Sequence, residues 1–305
     1  MNGIICVYKP NGFTSFDVIA IMRRLMGTKK IGHSGTLDPM AEGVLPIFVG
    51  TATKAVDFCP DTDKSYRASF KIGITTDTQD VTGTVTSDVT DRTYNTPCFA
   101  PRSRIIEIME KYTGEIEQIP PMYSAVKVNG KRLYDIARKG GEVERTPRKV
   151  TVHSLELEDY GNGEGVLLIS CSKGTYVRTI IHDIGQELGF GAVMTALQRT
   201  RSNGFTLSDC HDLAELRKTY ETAPDELLKL LKPVDSLFKD YPKARLDEKQ
   251  TKMFRNGVSL NADLIAFDRI CDGVYAVTDD EDRLCALAKI ERDHTLSIIQ
   301  RFNYE

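Results

Sequence analysis

The sequence predicts an α+β fold with a mostly antiparallel mixed sheet. Segments with strand-like alternation outnumber helical segments, and the helices stand singly between them. The regular alternation of strand and helix that a parallel sheet needs does not occur along the chain. The 305 residues are long for one ordinary domain and comfortable for two. We therefore expect a large α+β domain and a smaller second one.

Capping and periodicity define the elements of the first half. Thr14 and Asp17 have capping-box spacing, which marks the start of an apolar-rich helix that ends near Gly27. Three isoleucines and Met109 recur at helical spacing before Gly114, which predicts a helix over 101–112. The strand patterns of this half lie at 4–7, 66–74 and 82–90.

The second half begins with Pro120-Pro121, which interrupts the chain before a strand predicted over 123–128. Asn129-Gly130 is a hairpin signal. Later elements are a strand over 165–171, a helix from Val177 to Leu188 closed by Gly189, a linker over 232–242 and a helix over 247–255. Short strands over 264–267, 273–278, 284–290 and 296–302 then predict a small β-barrel.

Composition excludes several classes of protein. No apolar run approaches the roughly 20 residues that span a bilayer, and the first residues lack the regions of a secretory signal. The seven cysteines are scattered without a C-x-x-C pair, and the five histidines are equally dispersed. This pattern fits reduced thiols better than disulfides or a zinc site. We expect a cytoplasmic protein with no metal, no cofactor and no membrane contact.

The net charge of −3 does not suggest a nucleic-acid-binding protein, but the charges are unevenly distributed. Five basic residues stand against Asp17 alone in the first 30 positions. Residues 124–149 hold eight basic residues against three acidic ones. Acidic residues concentrate elsewhere, notably at 279–282. The distribution permits a polarised surface that meets phosphates, and it is equally compatible with an ordinary solvated face.

One acid, Asp38, lies among glycines, hydroxyls and prolines in residues 32–47, where neither helix nor strand periodicity explains it. Gly35 and Gly43 permit unusual backbone angles, and Pro39 fixes its own. A carboxylate held in such a shaped loop is a candidate nucleophile or acid–base group. The alternative is an Asp-Pro turn in which the acid bonds its own backbone.

Three further stretches occur in order along the chain: residues 8–15, residues 64–67 continuing to 73–80, and residues 172–179 with 197–200 beyond them. Together with residues 32–47 they resemble the signature of the tRNA pseudouridine synthase B (TruB) family. The resemblance is close over residues 1–204 and loose afterwards. It implies a pseudouridine synthase-like catalytic domain over 1–235, with an RNA-gripping basic insertion at about 124–149. It also implies a PUA-like RNA-binding domain over 243–305.

The resemblance implies an RNA isomerase that converts a T-loop uridine of tRNA, at tRNA position 55, to pseudouridine. Asp38 is then the catalytic carboxylate, which forms an adduct with C1′ or C6 or removes the 2′ proton. The sequence does not choose among these three routes. Arg178 is its counter-charge, and Tyr66 stacks on the uracil or removes its C5 proton. The reaction needs neither a nucleotide cofactor nor a metal.

The same resemblance implies a set of substrate-binding residues. His33 fills the space that the extruded base leaves, Leu197 lines the apolar side of the pocket, and Tyr176 stands beside Arg178. Lys9 contacts phosphate or fixes the loop, and Pro10 holds the adjoining turn. The phosphate contacts expected in the basic insertion are Lys127, Lys131, Arg132 and Arg148. Asp77, Thr78 and Asp80 are interpreted as turn residues and left outside the catalytic set.

The partner is therefore expected to be tRNA, bound by a monomer without an obligate protein partner. Two alternatives remain at this stage: a pseudouridine synthase that acts on another RNA, and a tRNA-binding or tRNA-folding protein with the same fold. A hydrolase built on Asp38 is disfavoured, because no second well-placed carboxylate accompanies it in the sequence.

Overall fold

A computed structural model describes residues 2–90, 100–128 and 130–302. The α-helices of these residues are α1 (Ser15–Leu25), α2 (Arg102–Glu110), α3 (Leu133–Ala137), α4 (Val177–Leu188), α5 (Leu213–Thr222), α6 (Pro224–Lys229) and α7 (Glu248–Arg255). The strands up to the linker are β1 (Gly3–Lys9), β2 (Ile31–His33), β3 (Glu42–Val49), β4 (Lys64–Ile72), β5 (Ile74–Thr76), β6 (Val85–Asp88), β7 (Gly114–Gln118), β8 (Lys127–Val128), β9 (Lys131–Arg132), β10 (Arg148–Gly161), β11 (Glu164–Cys171), β12 (Ala192–Ser202), β13 (Phe205–Thr206) and β14 (His211–Asp212). The strands after the linker are β15 (Lys243–Arg245), β16 (Leu260–Asn261), β17 (Ala266–Phe267), β18 (Val274–Thr278), β19 (Leu284–Ile290) and β20 (Thr295–Arg301).

The described residues form a ten-stranded main sheet with the order β14-β1-β3-β12-β4-β11-β10-β7. The remaining two strands, β13 and β2, pair with β12 and β3. Its pairings are antiparallel except for β1 with β14 and β3 with β12. The predicted α+β class with a mostly antiparallel mixed sheet is confirmed.

Helices cover the main sheet through apolar side chains. One hydrophobic cluster joins α2 and α4 to β4, β11 and β12, through residues such as Ile108, Ile180 and Phe70. Another joins α1 and α5 to β1 and β3, through residues such as Val18 and Leu45. Burial of this kind is worth about 1.5–3 kcal/mol for each large aliphatic or aromatic side chain. The sheet is thus a rigid support for the loops at its edges.

Local signals place the helix ends. Thr14 and Asp17 form the predicted capping box of α1, with Asp17 N–H donating to Thr14 Oγ1 over 3.0 Å. Gly189 ends α4 with a φ of +84°, in the left-handed region that glycine adopts without strain. Asp247 caps α7 at the predicted position. Capping chemistry was therefore predictable from the sequence alone.

The residues after the linker form a six-stranded sheet, of order β16-β20-β19-β18-β15-β17, as expected for the small PUA-like unit. Its Leu287 and Phe302 share a hydrophobic cluster with Ile4 and Phe48 of the main sheet. The boundary between domains at 235–243 stays a prediction. No helix within the described ranges is long and apolar enough to cross a membrane.

Several predicted elements differ from the structure. Residues 123–126 are not a strand, because the Tyr123 carbonyl accepts a hydrogen bond from Arg178 instead of a neighbouring strand. The hairpin around Gly130 consists of the short paired strands β8 and β9. Asn129 lies outside the described residues. Half of residues 32–47 are strand, at 32–33 and 42–47, and the loop proper spans 34–41. The long strands β10 and β12 were not predicted.

Candidate active site

Asp38 lies in the loop that connects β2 to β3. Hydrogen bonds hold this loop at several points. Leu37 is buried, and its N–H donates to Ser15 Oγ of α1 over 2.9 Å. The Gly12 N–H donates to the Pro39 carbonyl over 2.9 Å, and the Ala41 N–H donates to the Asp38 carbonyl over 3.0 Å. These bonds satisfy the backbone of an irregular segment, as a buried loop requires. The backbone that carries Asp38 is therefore held in place by its own hydrogen bonds.

Lys9 holds this loop through hydrogen bonds to its backbone. Its side chain is fully buried at the end of β1, and its ammonium donates to the carbonyls of Pro10, Pro39 and Ala41 over 3.0, 3.2 and 2.5 Å. Burial lowers the pKa of Lys9 to about 8, against the opposing effect of Asp38. Of the two roles expected for Lys9, the structure favours fixing the loop. The burial of the side chain argues against direct contact with a phosphate, which stays a prediction to be tested.

Arg178 faces Asp38 from the first turn of α4. Its Nη2 lies 3.5 Å from Asp38 Oδ2, and its side chain is only 5% exposed. Tyr176 caps the same helix, with its backbone N–H and carbonyl both held by the Gln118 side chain. The Tyr176 ring lies 5.9 Å from the Arg178 guanidinium carbon, within cation–π range. The structure thus brings together the predicted acid, its counter-charge and Tyr176.

Asp80 is a second carboxylate on Arg178, and sequence reasoning missed it. Its side chain is 4% exposed, and its Oδ2 lies 3.5 Å from Arg178 Nη1. Its Oδ1 accepts from the hydroxyls of Thr78 and Thr82 over 2.9 and 2.5 Å. These hydrogen bonds from the two hydroxyls stabilise the turn that the sequence predicted. Nothing in the sequence around Asp80 predicted its ion pair with the distant Arg178.

The charge balance around Asp38 decides its protonation. Burial raises the pKa of the Asp38 carboxyl, Asp80 raises it further, and Arg178 and Lys9 lower it. About a third of the side-chain surface remains open to solvent, so a bound molecule can reach the carboxyl. A partly desolvated carboxylate with one guanidinium partner is suited to nucleophilic or general-base chemistry.

Tyr66 and Leu197 belong to the hydrophobic cluster that also contains Leu37, the residue before Asp38. They lie on the paired strands β4 and β12, and each is 7% exposed. Burial raises the pKa of Tyr66 to about 12, while the nearby Arg199 guanidinium lowers it. The Tyr66 ring is therefore neutral at physiological pH, and its hydroxyl is a polar group within that hydrophobic cluster.

His33 ends β2, directly before the loop. Its Nδ1 accepts the Gly35 N–H over 3.2 Å, which fixes the ring orientation. Burial, and the charges of Arg199 and Lys64, lower the pKa of His33. The ring is therefore neutral at physiological pH, and a neutral aromatic ring is suited to stacking on a nucleobase.

The basic insertion begins at the site and extends away from it. Tyr123, whose carbonyl accepts from Arg178 over 2.5 Å, leads into the β8–β9 hairpin. Tyr134 follows the hairpin, and the guanidinium carbons of Arg132 and Arg138 lie 5.7 and 5.5 Å from its ring centre. The four predicted phosphate contacts, Lys127, Lys131, Arg132 and Arg148, are all exposed. Within the described ranges no three His, Cys, Asp or Glu side chains lie together as a metal site would need.

Two family profiles match the chain. One, described as the TruB family pseudouridylate synthase N terminal domain, matches residues 23–177. The other, described as the tRNA pseudouridylate synthase B C-terminal domain, matches residues 178–239. The first match contains Asp38, Tyr66 and Asp80, and the second begins at Arg178.

Relatives match over almost the whole chain. A protein of Levilactobacillus brevis named tRNA pseudouridine synthase B is 45% identical over 271 residues, covering 86% of each chain. One of Clostridium kluyveri with the same name is 37% identical over 302 residues, covering 99% of this chain and 100% of the relative. A solved structure of an H/ACA RNP bound to a substrate RNA containing 2′-deoxyuridine has a similar fold. Its TM-score is 0.74 at 24% identity, over 99% of this chain and 85% of that one. The chain therefore belongs to the TruB family of tRNA pseudouridine synthases, which are isomerases.

Proposed function

We propose that the protein converts the T-loop uridine at position 55 of tRNA to pseudouridine, with Asp38 as the catalytic carboxylate. The observation that carries this proposal is the pairing of Asp38 with the buried Arg178 at 3.5 Å, with the buried Tyr66 nearby. The names of the relatives support tRNA as the substrate. The T-loop uridine is the target that the family resemblance implies.

The reaction detaches the uracil from C1′, turns it and rejoins it through C5. In this proposal Asp38 forms an adduct with C1′ or C6, or removes the 2′ proton, and Arg178 at 3.5 Å stabilises its charged form. Partial desolvation strengthens the carboxylate as a nucleophile and excludes water that would trap the broken glycosidic bond. All three routes need one ionised carboxylate in this position.

The surrounding side chains have separate roles in the proposal. Tyr66 stacks on the uracil and takes the C5 proton, and Leu197 packs on the apolar edge of the base. His33 fills the space that the extruded base leaves in the RNA loop, at an unstacking cost of a few kcal/mol. Tyr176 lies over the guanidinium of Arg178 and borders the pocket. Pro10 shapes the turn whose carbonyl Lys9 holds.

The tRNA is held outside the pocket by the exposed cations of residues 124–149. Lys127, Lys131 and Arg132 lie on the two strands of one hairpin, and Arg148 begins β10. Exposed lysines and arginines of this kind contact phosphates and position the nucleic acid without reading its sequence. The catalytic domain, residues 1–235, is proposed to work with an RNA-binding PUA-like domain over 243–305.

The test compares wild type, Asp38→Asn and Asp57→Asn on unmodified tRNA transcript. Asp57 is an exposed acid outside the site, so Asp57→Asn is the matched control. Carbodiimide-dependent stops of reverse transcription map pseudouridine. We expect a T-loop stop with wild type and Asp57→Asn and none with Asp38→Asn. A wild type that binds tRNA and leaves no stop would indicate the alternative, a tRNA-binding or tRNA-folding protein.

A further inference from the structure

Arg199 is a buried cation that the proposed mechanism has not used. It lies on β12 and is 0% exposed. In the part of the chain that the structure describes, no carboxylate forms an ion pair with it, and burial lowers its pKa. A guanidinium buried without a counter-ion is destabilising, so its presence beside an active site calls for a functional explanation.

Two of the three guanidinium nitrogens hold the catalytic loop and its following strand. Arg199 Nε donates to the Val44 carbonyl over 2.7 Å, and Nη2 donates to the Gly35 carbonyl over 3.2 Å. The strands approach so closely here that a Cβ at position 43 would lie 2.3 Å from the Arg199 carbonyl oxygen. The direction of the guanidinium is therefore fixed by backbone on both sides.

The third nitrogen, Nη1, is buried and has no hydrogen-bond acceptor among the described residues. The Tyr66 hydroxyl lies close enough to the Arg199 guanidinium for the two side chains to influence each other's pKa. Arg199 and Tyr66 are register partners on β12 and β4, so their side chains stand on the same face of the sheet. Catalytic hydrogen bonds are often long before substrate binds and tighten in the complex.

We propose that Arg199 is a positioning residue that directs its free Nη1 donor at the Tyr66 oxygen and stabilises the phenolate form of that residue. This inference rests on the proposed function, because it concerns the final proton transfer of uridine isomerisation. Once C1′ is bonded to C5, Tyr66 gives its hydroxyl proton to solvent water, and the resulting phenolate oxygen takes the proton as the C5–H bond breaks. The electron pair of that bond becomes the C5=C6 double bond, and the C6=N1 pair returns to N1, which takes a proton from water.

The electrostatics agree with this role. Burial raises the pKa of Tyr66 to about 12, and Arg199 is the strongest influence that opposes the rise. Burial lowers the pKa of His33 and of Lys64, which lies near Gly35, and the Arg199 charge lowers both further. Arg199 therefore supplies the positive potential on this side of the pocket, as Arg178 does beside Asp38.

The experiment measures single-turnover rates with tRNA that carries hydrogen or deuterium at C5 of the target uridine. We expect Arg199→Gln to lower the rate by about 10²-fold, a usual loss for weakened acid–base catalysis. The ratio of the hydrogen and deuterium rates should rise above that of wild type, since C5 deprotonation becomes limiting. Arg199→Lys, which keeps the charge, should recover part of the rate. Arg201→Gln, on the same strand and bonded to Asp61, is the control.

Tyr66→Phe keeps the ring and should raise the isotope ratio in the same way, and it remains informative if the Arg199 variants do not fold. In the Tyr66→Phe background, Arg199→Gln should leave the isotope ratio at its Tyr66→Phe value. An isotope ratio that stays at the wild-type value in folded Arg199→Gln, or in Tyr66→Phe, would overturn the inference while leaving the proposed function intact. A wild type that forms no pseudouridine would overturn both.

Discussion

Arg178 Nη2 lies 3.5 Å from Asp38 Oδ2, and this contact joins two segments that are far apart in the chain. The guanidinium does not depend on Asp38 for its position. It is held independently by the Tyr123 carbonyl over 2.5 Å and by Asp80 over 3.5 Å. The counter-charge is thus in place before substrate arrives, which is the arrangement that electrostatic catalysis requires.

The first prediction concerns Asp80, which we expect to act through Arg178. Asp80→Asn removes the buried anion that holds the guanidinium and leaves the turn hydroxyls with an acceptor. Single-turnover pseudouridine formation should fall by about 10²-fold, equivalent to about 2.7 kcal/mol, with little change in tRNA affinity. The control is Asp88→Asn, an exposed acid on β6. A wild-type rate for Asp80→Asn would show that Arg178 needs only its backbone partners.

The second prediction separates the two roles expected for Lys9. Lys9→Met removes the ammonium donor from three carbonyl oxygens, although the Pro39 carbonyl keeps the Gly12 N–H. The cost is about 1–3 kcal/mol for each buried group that is left unsatisfied. We expect a lower free energy of unfolding and a slower reaction, since the loop that carries Asp38 loosens. Because the side chain is buried, the dependence of tRNA affinity on salt should match that of wild type. A reduced salt slope would instead place the ammonium on a phosphate.

Comparison of sequence and structure shows which signals are local. Thr14 and Asp17 form the capping box that their spacing indicated. Gly189 closes the predicted helix. Both depend on residues that are neighbours in sequence, so no tertiary information was needed.

Asp80 and Arg199 show what the sequence does not reveal. Asp80 makes the turn that its neighbours predict, and it makes an ion pair as well. Arg199 lies in the signature stretch 197–200, but its burial has no local signal, because it is the pairing of β12 with β3 and β4 that buries it. Which face of a strand is buried depends on the partners of that strand, and β12 itself was not predicted. Family resemblance placed Arg178 near Asp38 because the motif carried tertiary information.

The third prediction concerns the exposed cations of the basic insertion. Charge reversal at Arg132 and Arg148, as Arg132→Glu and Arg148→Glu, should weaken tRNA binding and flatten its dependence on salt. The slope should fall by roughly 0.7 to 0.9 for each phosphate that the protein no longer neutralises. Lys229→Glu is the control, because this exposed lysine lies on α6 and pairs with Glu226. Equilibrium binding at several salt concentrations makes the measurement, and an unchanged slope in the double variant would contradict this RNA-binding surface.

The last prediction concerns Asp183 of α4, an acid whose pKa is shifted by burial alone. Burial raises the pKa of Asp183 from 3.8 to about 6. The folded protein therefore binds a proton more tightly than the unfolded chain, so the free energy of unfolding falls as pH rises from about 4 to 6. Above that window the carboxylate is charged in both states. Its partial burial is then a standing penalty of about 1–2 kcal/mol, because solvent at this half-buried position screens part of the charge.

Asp183→Asn removes this charge, so it should stabilise the protein at pH 7.5 by about 1–2 kcal/mol. The gain should shrink as the pH is lowered toward 4, where Asp183 is protonated in the folded protein. Urea unfolding at a series of pH values measures it, with Asp272→Asn, an exposed acid, as the control. A gain that is equal at pH 7.5 and pH 4.5 would mean that the amide makes a new contact, because relief of a buried charge must follow the titration of that charge.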